Sequence, residues 1–519
     1  MADYLLAHDL GTSGNKATLY DSEGNLCASE LVSYPTYYPY SGWVEQDPED
    51  WWHAVCAATR ALLEKAAVSP HEIAGVSFSG QMMGCVLVDR DGKALRRALI
   101  WADTRSTEEE RQMLKAAGAE RGYRITGHRL SASYGAAKLC WVKNHQPEIY
   151  GKAYKMLNAK DYIVGRLTGN FVTDYSDASS TNLFDLEKKT WSIELIEAFG
   201  LRADLLPELH VSADIVGSVQ PEAARQTGLP EGLPVVIGGG DGACACVGAG
   251  VVREGRTYCI LGSSSWISMA SSAPVFDSAM RTFNWVHLDP TLYTPCGTMQ
   301  AAGLSLQWFR NAFCQEEIRL AKESGKNAYQ RIDRMAEQIP PGANGVLYLP
   351  YLLGERSPRW NFDASGAFLG LRAGSGKAEA VRAVLEGVGY NLKVILDIFD
   401  GSCEVPSIGE IVAIGGGAKG KLWMQILADI WQKPLLIPRY LEEATSMGAA
   451  VCCGVGVGMF ENFSAIDRFN PSVSRVMPRV ENRETYQALY QIFNDAYEAL
   501  CPVYKSLHTW SKTQGGKQQ

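Results

Sequence analysis

The sequence predicts an α/β protein built from two similar lobes. Strand-like runs such as LPVVIGGG (233–240) alternate with helical patterns such as PEDWWHAVCAATRALLEKAA (48–67), and this alternation is typical of the α/β class. The tetrapeptides LGTS (10–13) and LGSS (261–264) each lie between two strand-like runs, about half a chain apart. This weak internal repeat indicates two related halves, which we divide into 1–252 and 253–519.

The elements of each half follow from local patterns. Residues 4–33 contain strand-like runs separated by the turns GTSGN and DSEGN, and they predict an antiparallel meander. In the second half, residues 379–399 form a long amphipathic helical pattern, and EIVAIGGG (410–417) is typical of a buried strand.

Composition limits the classes of partner. The chain has 519 residues, 46% hydrophobic and 20% charged, which is enough for two or more domains with their own cores. A formal charge of −8 without a long Lys or Arg run argues against nucleic acid or an anionic membrane, so we expect a small-molecule partner. The amino terminus lacks a secretion signal pattern and no apolar run reaches membrane-spanning length, which indicates a cytoplasmic protein.

Thirteen cysteines are scattered along the chain without a C-x-x-C pair. Several of them stand among Ala, Val and Gly, so we interpret them as small core residues rather than disulfides or metal ligands.

Three glycine-rich turns end strand-like runs: DLGTSGNK (9–16), GGGDG (238–242) and GGGAKGK (415–421). Such turns expose backbone N–H groups that can bind phosphate oxygens. Any one of them alone is more simply a tight corner of the chain. Three of them, distributed over two similar lobes, indicate a nucleotide held between the lobes.

Two aspartates accompany these turns. Asp241 precedes a helix of small residues, where it could serve as an N-cap, and it could also accept a proton from a substrate hydroxyl during phosphoryl transfer. Asp9 could hold Mg²⁺ through water, or it could simply form an Asx turn with the loop that follows.

The third turn also permits another function. Gly415, Gly417 and Gly420 spell G-x-G-x-x-G between a strand and a helix, the local context of a dinucleotide site. The expected acidic residue is missing after PLLIP (434–438), where Arg439 stands, so an NADP-dependent oxidoreductase is the alternative.

Longer stretches resemble one known family. They are GWVEQDPEDWW (42–52), SFSGQMMG (77–84), IWADTR (100–105), KDYIVGRLTG (160–169), TDYSDASSTNLFD (173–185), YLLGERSPRWNFDASGAFLGL (351–371) and AIGGGAKGKLWMQILADI (413–430). Together with YGAAKLCWVKNHQ (134–146), which contains Lys138 and Trp141, they are similar to the FGGY carbohydrate kinases and to their xylulokinase-like branch.

The resemblance implies the two-lobed actin-like ATPase fold (ribonuclease H-like) with a central cleft that closes on a sugar, ATP and Mg²⁺. Asp241 matches the family's catalytic base and Asp9 its metal-binding carboxylate. The implied cofactor-binding residues are Asp9, Thr12, Ser13, Lys16, Gly262, Ser263, Gly416, Gly417 and Ala418. The implied substrate-binding residues are Gln81, Met82, Met83, Trp101, Asp103 and Asp241.

Two departures bear on the substrate. Met83 and Ala102 stand where xylulokinases usually have His and Asn, so a small ketose, a polyol and an aldonate such as gluconate all remain open. A non-catalytic sugar sensor on the same fold is a further alternative. By analogy with the family a homodimer is possible, although no residue indicates it.

Overall fold

The computed structural model describes residues 3–325 and 327–515. These residues form two compact units. The first contains the chain up to Glu254, Ala270–Pro295 and Glu443–Pro471. The second contains Gly255–Met269, Cys296–Glu442 and the chain from Ser472 onward. Each unit is thus assembled from three separate stretches of sequence.

The strands are, in chain order, β1 (Tyr4–Leu10), β2 (Gly14–Asp21), β3 (Leu26–Ser33), β4 (Glu45–Gln46), β5 (Ile73–Gly80), β6 (Val86–Val88), β7 (Ala98–Leu99), β8 (Lys155–Leu157), β9 (Val172–Asp174), β10 (Phe184–Asp185), β11 (Thr190–Trp191), β12 (Glu208–His210), β13 (Ile215–Ser218), β14 (Pro234–Val236), β15 (Gly239–Gly240), β16 (Thr257–Leu261), β17 (Ser265–Met269), β18 (Phe283–Val286), β19 (Tyr293–Met299), β20 (Leu347–Leu349), β21 (Ala367–Leu369), β22 (Ile411–Ile414), β23 (Leu435–Pro438) and β24 (Ser472–Val476).

The α-helices are α1 (Pro48–Ala66), α2 (Thr107–Ala117), α3 (Ala119–Thr126), α4 (Gly135–His145), α5 (Pro147–Lys152), α6 (Ala159–Thr168), α7 (Tyr175–Ala178), α8 (Ile193–Ala198), α9 (Pro221–Thr227), α10 (Asp241–Gly248), α11 (Gly303–Phe313), α12 (Gln315–Ser324), α13 (Ala328–Glu337), α14 (Lys377–Asp400), α15 (Lys421–Trp431), α16 (Ala444–Gly456), α17 (Ile466–Phe469) and α18 (Arg483–Gly515).

The central sheet of the first unit has the strand order β13-β14-β5-β1-β2-β3, with β15 beside the end of β5. Strands β1, β2 and β3 pair antiparallel, which confirms the predicted meander. Strand β5 runs parallel to β1, and β14 runs parallel to β5. The carboxyl ends of β1, β5 and β15 therefore lie at the same edge of the sheet.

The strands that lie wholly within the second unit are neighbours in the order β17-β16-β22-β23-β24. Here β16 pairs antiparallel with β17 and parallel with β22, as β1 does with β2 and β5. In each sheet the edge strand beside the parallel strands is antiparallel: β13 pairs with β14 in the first sheet, and β24 pairs with β23 in the second. The internal repeat that the tetrapeptides predicted is thus a repeat of sheet topology.

Helix α1 shows how sequence determines one of the covering helices. The Asp47 side chain accepts a hydrogen bond from the Glu49 N–H, and Pro48 occupies the first turn, so the helix begins with a satisfied cap. It ends at Ala67, which has a left-handed backbone. Its apolar face, including Trp51 and Leu62, is buried in the core over the sheet.

Helices α10 and α16 of the first unit pack with almost no side chain between them. A Cβ atom on Gly248 would lie 1.7 Å from the Ala444 carbonyl oxygen, and one on Gly448 would lie 1.9 Å from the Cys244 oxygen. Both distances are far inside van der Waals contact. The close approach explains why these helices are rich in Gly, Ala, Cys and Val.

All thirteen cysteines lie among the described residues and are free thiols, and most are buried, as predicted for small core residues. No helix in the described part of the chain is both long and apolar enough to cross a bilayer.

Candidate functional site

Asp9 lies near the carboxyl end of β1. It stands beside Ser79 of β5, whose hydroxyl donates to the Asp9 Oδ1 at 3.0 Å. Burial raises the pKa of Asp9 to about 6, although the Ser79 hydrogen bond and the charge of Lys16 act in the opposite direction. Asp9 is partly exposed as a residue.

Asp241 lies at the same edge of the sheet. Strand β15 pairs with β5 on the side opposite β1, so that Ser79 is flanked by Asp9 and by Gly239. Asp241 follows this strand as the first residue of α10. The expectation that Asp241 caps α10 is therefore wrong by one residue, since Gly240 occupies the N-cap position.

The Asp241 carboxylate accepts one hydrogen bond, from the Gly242 N–H to Oδ1 at 2.8 Å. Its Oδ2 has no hydrogen-bond partner within the described residues. Burial and, secondarily, the negative charge of Asp9 raise the pKa of Asp241 to about 7. A carboxylate with this pKa can both take up and release a proton near neutral pH.

The three glycines before Asp241 are required because neighbouring atoms leave no room for a Cβ atom. Gly238 has a φ of +73°, and a Cβ atom there would lie 1.9 Å from the Phe78 carbonyl oxygen. A Cβ on Gly239 would meet Leu288, and one on Gly240 would meet the Met82 side chain, each within 2.6 Å. Larger residues would therefore push the segment away from β5 and displace Asp241.

The two carboxylates fit a hard cation held with few protein ligands. Among the described residues no group of three or more His, Cys, Asp and Glu side chains is placed to hold a metal together. The ionised carboxylates of Asp9 and Asp241 repel each other, and the charge of Asp9 accordingly raises the pKa of Asp241. A divalent cation would relieve this repulsion. Mg²⁺ suits such a site because it keeps several of its waters.

Gln81 begins the loop that follows β5. Its Nε2 donates to Gln46 Oε1 at 2.8 Å, and Gln46 in turn donates to the Thr12 carbonyl at 2.6 Å. The Gln81 Oε1 is buried without a hydrogen-bond partner among the described residues. This orphaned acceptor is suited to a ligand hydroxyl. Sequence reasoning missed Gln46, for which the only signal was its position in the GWVEQDPEDWW stretch.

Trp101 is 36% exposed, and its indole N–H donates to the Thr12 hydroxyl at 2.9 Å. The predicted sugar-binding and phosphate-binding residues of this unit thus meet at Thr12. Ser13, the next residue of the turn, is exposed.

Asp103 is fully buried. It accepts hydrogen bonds from the Arg105 guanidinium at 2.7 to 3.0 Å and from the Val44 N–H at 2.6 Å. In this arrangement its carboxylate fixes the segment that carries Trp101, and a direct contact with substrate stays a prediction.

Met82 and Met83 follow Gln81 in the same loop. Met82 is buried beside Gly240, which carries the chain to Asp241. Met83 has a φ of +63°, a left-handed conformation that is rare for a residue of this type. It is held there by the Ser180 hydroxyl, 3.1 Å from its N–H, and by the buried Lys138 ammonium, 2.7 Å from its carbonyl.

Lys16 stands opposite Asp9 in the β1–β2 hairpin and forms an ion pair with Glu443 at 3.4 Å. Its positive charge lowers the pKa of Asp9. Lys16 thus contributes to the electrostatics of the Asp9 carboxylate, and contact with a nucleotide stays a prediction.

The predicted cofactor residues of the second unit come together at the end of β16. Gly262 and Ser263 form the exposed turn between β16 and β17. Their carbonyls accept hydrogen bonds from the N–H groups of Gly303 and Leu304 at the start of α11, at 2.9 and 3.0 Å. These hydrogen bonds therefore fix the Gly262–Ser263 turn against the first turn of α11.

The glycine turn after β22 packs against the same strand end. A Cβ atom on Gly417 would lie 2.8 Å from the Leu261 Cβ, and Gly416 beside it is exposed. The turn is a 3₁₀ segment, and Ala418 within it is buried with its N–H bonded to the Gly415 carbonyl at 3.1 Å. Gly416 and Gly417 thus lie close to the Gly262 turn, whereas Ala418 contributes packing.

Comparison with known proteins identifies the family. The family model of the N-terminal domain of FGGY carbohydrate kinases matches residues 4–248, and that of the C-terminal domain matches residues 257–457. The chain belongs to the FGGY family of carbohydrate kinases. The predicted resemblance is confirmed, and this assignment replaces the NADP-dependent oxidoreductase alternative.

The relatives of this kinase include xylulose kinases and gluconokinases. It is 34% identical to the xylulose kinase of Bacillus subtilis, over 98% of this chain and 99% of that protein. It is 30% identical to the gluconokinase of Bacillus licheniformis, over 100% of both chains. The crystal structure of ligand-bound xylulose kinase from Lactobacillus acidophilus matches with a TM-score of 0.89 and 26% identity, covering 97% of this chain and 99% of that one. The predicted α/β, actin-like ATPase fold is thus confirmed.

Proposed function

We propose that this FGGY kinase transfers the γ-phosphoryl group of ATP to a primary hydroxyl of a small ketose such as xylulose, or of a related polyol or aldonate, with Asp241 as general base. The observation that carries the proposal is the Asp241 carboxylate itself. Asp241 is partly exposed as a residue, its carboxylate has one oxygen without a partner among the described residues, and its pKa is raised to about 7. These are the properties of a base that works near neutral pH.

Asp241 accepts the proton of the substrate hydroxyl while the hydroxyl oxygen forms a bond to the γ-phosphorus, and the bond to the β,γ-bridging oxygen breaks to release ADP. Mg²⁺, held through water near Asp9, would supply charge neutralisation on the phosphates. Asp241 later loses the proton to solvent.

We assign sugar binding and the base to residues 1–252 and nucleotide binding to residues 253–519. Gly262 and Ser263 would offer backbone N–H and hydroxyl groups to phosphates, because the turn is exposed and fixed by α11. Gly416 and Gly417 would pack against the adenosine, with Ala418 behind them.

The substrate would be held by Gln81, Trp101 and the Met82–Met83 loop. The orphaned Gln81 Oε1 supports a contact with a substrate hydroxyl. Met83 presents a thioether where a histidine is usual, so one polar substrate group that xylulokinases bind would lose its partner, at a cost of about 1 to 3 kcal/mol. Replacing Met83 by His should thus favour D-xylulose over the alternatives, and a histidine tolerates the left-handed backbone there.

The test is Asp241→Asn. We expect kcat to fall by about 10²- to 10⁴-fold, with ATP affinity and the thermal unfolding midpoint nearly unchanged. Asp214→Asn is the matched control, since this carboxylate lies in the same unit and contacts only His210 and the local backbone among the described residues. Turnover of Asp241→Asn within tenfold of wild type would refute the assignment.

A panel of D-xylulose, D-gluconate, pentitols and tetritols, assayed by coupled ADP release, would name the substrate. Turnover of one member identifies the substrate class. Absence of turnover on every member, with retained sugar binding, would favour a sugar sensor instead.

A further inference from the structure

A buried cluster of charged residues lies directly behind the Asp241 segment. The Lys160 ammonium contacts Asp161 at 2.5 Å, Asp174 at 2.9 Å and Asp177 at 3.2 Å, and all four side chains are at most 1% exposed. The phosphoryl-transfer mechanism uses none of them. Burying one cation with three carboxylates is costly, so their arrangement calls for a physical explanation.

One branch of the cluster reaches the backbone before Asp241. The Asp174 Oδ1 faces Lys160, and its Oδ2 accepts the Ser176 hydroxyl at 2.5 Å. Because the Ser176 hydrogen is donated to Asp174, its oxygen is free to accept, and the Gly240 N–H donates to it at 2.9 Å. The chain of contacts therefore runs from Lys160 through Asp174 and Ser176 to Gly240.

Gly240 needs such an anchor. Residues 238–240 are three glycines, which restrict the backbone less than any other residue. Close approaches of Phe78, Leu288 and Met82 exclude side chains there, so packing by a Cβ atom cannot fix the segment. A hydrogen bond donated by the Gly240 N–H to a fully buried serine hydroxyl, which is itself held by Asp174, can fix it.

We propose that Ser176, supported by Asp174 and Lys160, is a positioning residue that sets the location of Asp241 by holding the Gly240 peptide. This rests on the proposed role of Asp241 as the base. Ser176 touches neither substrate nor nucleotide and acts through the backbone. A displacement of about 1 Å in a reacting group can lower a rate by about 10²-fold, so loss of this hydrogen bond should lower kcat.

The structure offers a matched control. Ser212 is also buried and donates its hydroxyl to the same oxygen, Asp174 Oδ2, at 2.8 Å, but the Gly240 N–H does not bond to its hydroxyl. Ser176→Ala and Ser212→Ala therefore remove equivalent hydrogen bonds to Asp174. They differ in the contact with Gly240.

We expect Ser176→Ala to lower kcat by about tenfold to a hundredfold, with the KM values for sugar and ATP changed less than threefold. Ser212→Ala should keep kcat within about twofold, and Ser176→Ala should lower the thermal unfolding midpoint more than Ser212→Ala because it also leaves the Gly240 N–H without its acceptor. Amide hydrogen exchange of peptides that cover residues 238–242 should become faster in Ser176→Ala and not in Ser212→Ala.

Equal kcat values for the two variants would overturn the proposal, as would failure of Ser176→Ala alone to fold, which would give Ser176 a purely structural role. Asp241→Asn measured in parallel separates the two claims. If Asp241→Asn keeps its activity, the proposed base is wrong. If Asp241→Asn is inactive and Ser176→Ala equals Ser212→Ala, only the positioning role is wrong.

Discussion

At the scale of single residues, the two carboxylates at the sheet edge determine how the rate depends on pH. Asp241 must be deprotonated to accept a proton, and burial together with the charge of Asp9 raises its pKa to about 7. We therefore expect kcat/KM for the sugar to fall about tenfold per pH unit below the pKa. A pH profile from 5 to 9 at saturating MgATP tests this, and a rate that stays flat down to pH 5.5 would contradict it.

The Lys160 cluster gives a stability prediction. Burial raises the pKa of Asp177 well above its ordinary value, although the Lys160 ammonium, 3.2 Å from its Oδ2, acts in the opposite direction. A raised pKa means that Asp177 contributes stability below its unfolded pKa and loses it as pH rises toward the folded value. Asp177→Asn should therefore be as stable as wild type or more stable at pH 7, with the difference growing from pH 5 to pH 8 in denaturant unfolding.

Lys160→Met is the opposite case in the same cluster. It would leave three carboxylates buried without their cation, so we expect a loss of about 3 to 5 kcal/mol in the free energy of unfolding at pH 7. Urea unfolding at pH 7 measures the loss. A loss below about 1 kcal/mol would mean that the cluster admits water.

Sequence reasoning found both site carboxylates because each stands beside a glycine-rich turn at the end of a strand. It missed the contacts of Lys138 and of Lys160, although both residues were visible within recognisable stretches. Lys160 and Asp161 directly precede the apolar run YIVG. Two opposite charges beside an apolar run were a signal that both side chains are buried as an ion pair. What the pattern could not reveal is the partners, since Asp174 lies in β9 and Asp177 in α7.

At the scale of elements, the contact between α10 and α16 predicts a strict requirement for glycine. A Cβ atom on Gly448 would lie 1.9 Å from the Cys244 carbonyl, so the helices must separate to admit it. We expect Gly448→Ala to lower the free energy of unfolding by about 1 to 3 kcal/mol, measured by urea denaturation.

Gly151→Ala is the control for this change. Gly151 lies in α5, and a Cβ atom there would meet nothing within 4 Å. Alanine should thus be neutral or stabilising by roughly 0.5 to 1 kcal/mol. If both variants lose the same stability, the close approach of α10 and α16 is not the cause.

Element types followed well from the sequence. The meander, the long helix α14 and the strand before the third glycine turn all form where their patterns predicted them. The start of α10 was misplaced by one residue, because the same side-chain chemistry suits the cap and the first turn.

At the scale of the whole molecule, the first unit is completed by a late segment. Residues 443–471 include α16, whose buried face packs on β1 and β5. Nothing in the sequence indicated this return, because a run of small residues such as α16 does not show which unit it packs on.

This return predicts the behaviour of fragments. Residues 1–254 alone should fail to unfold cooperatively, because the surface that α16 covers would be exposed to water. Joining 270–295 and 443–471 to this fragment through flexible linkers of about 20 residues should restore a cooperative transition. Circular dichroism melting compares the two proteins, and cooperative melting of 1–254 alone would contradict the expectation.

The repeated sheets carry hairpins that differ at one chemically decisive place. Aligning LGTS with LGSS sets Asp9 against Ile260, so the first hairpin carries an acid where the second carries a hydrocarbon. Both hairpins pair antiparallel, but their turns differ in length by one residue, since Leu10 pairs with Asn15 whereas Leu261 pairs with Ser265. Under the proposed function, two copies of one architectural plan divide their labour through single side chains rather than through new folds, one binding a metal ion with its carboxylate and the other holding the phosphate donor.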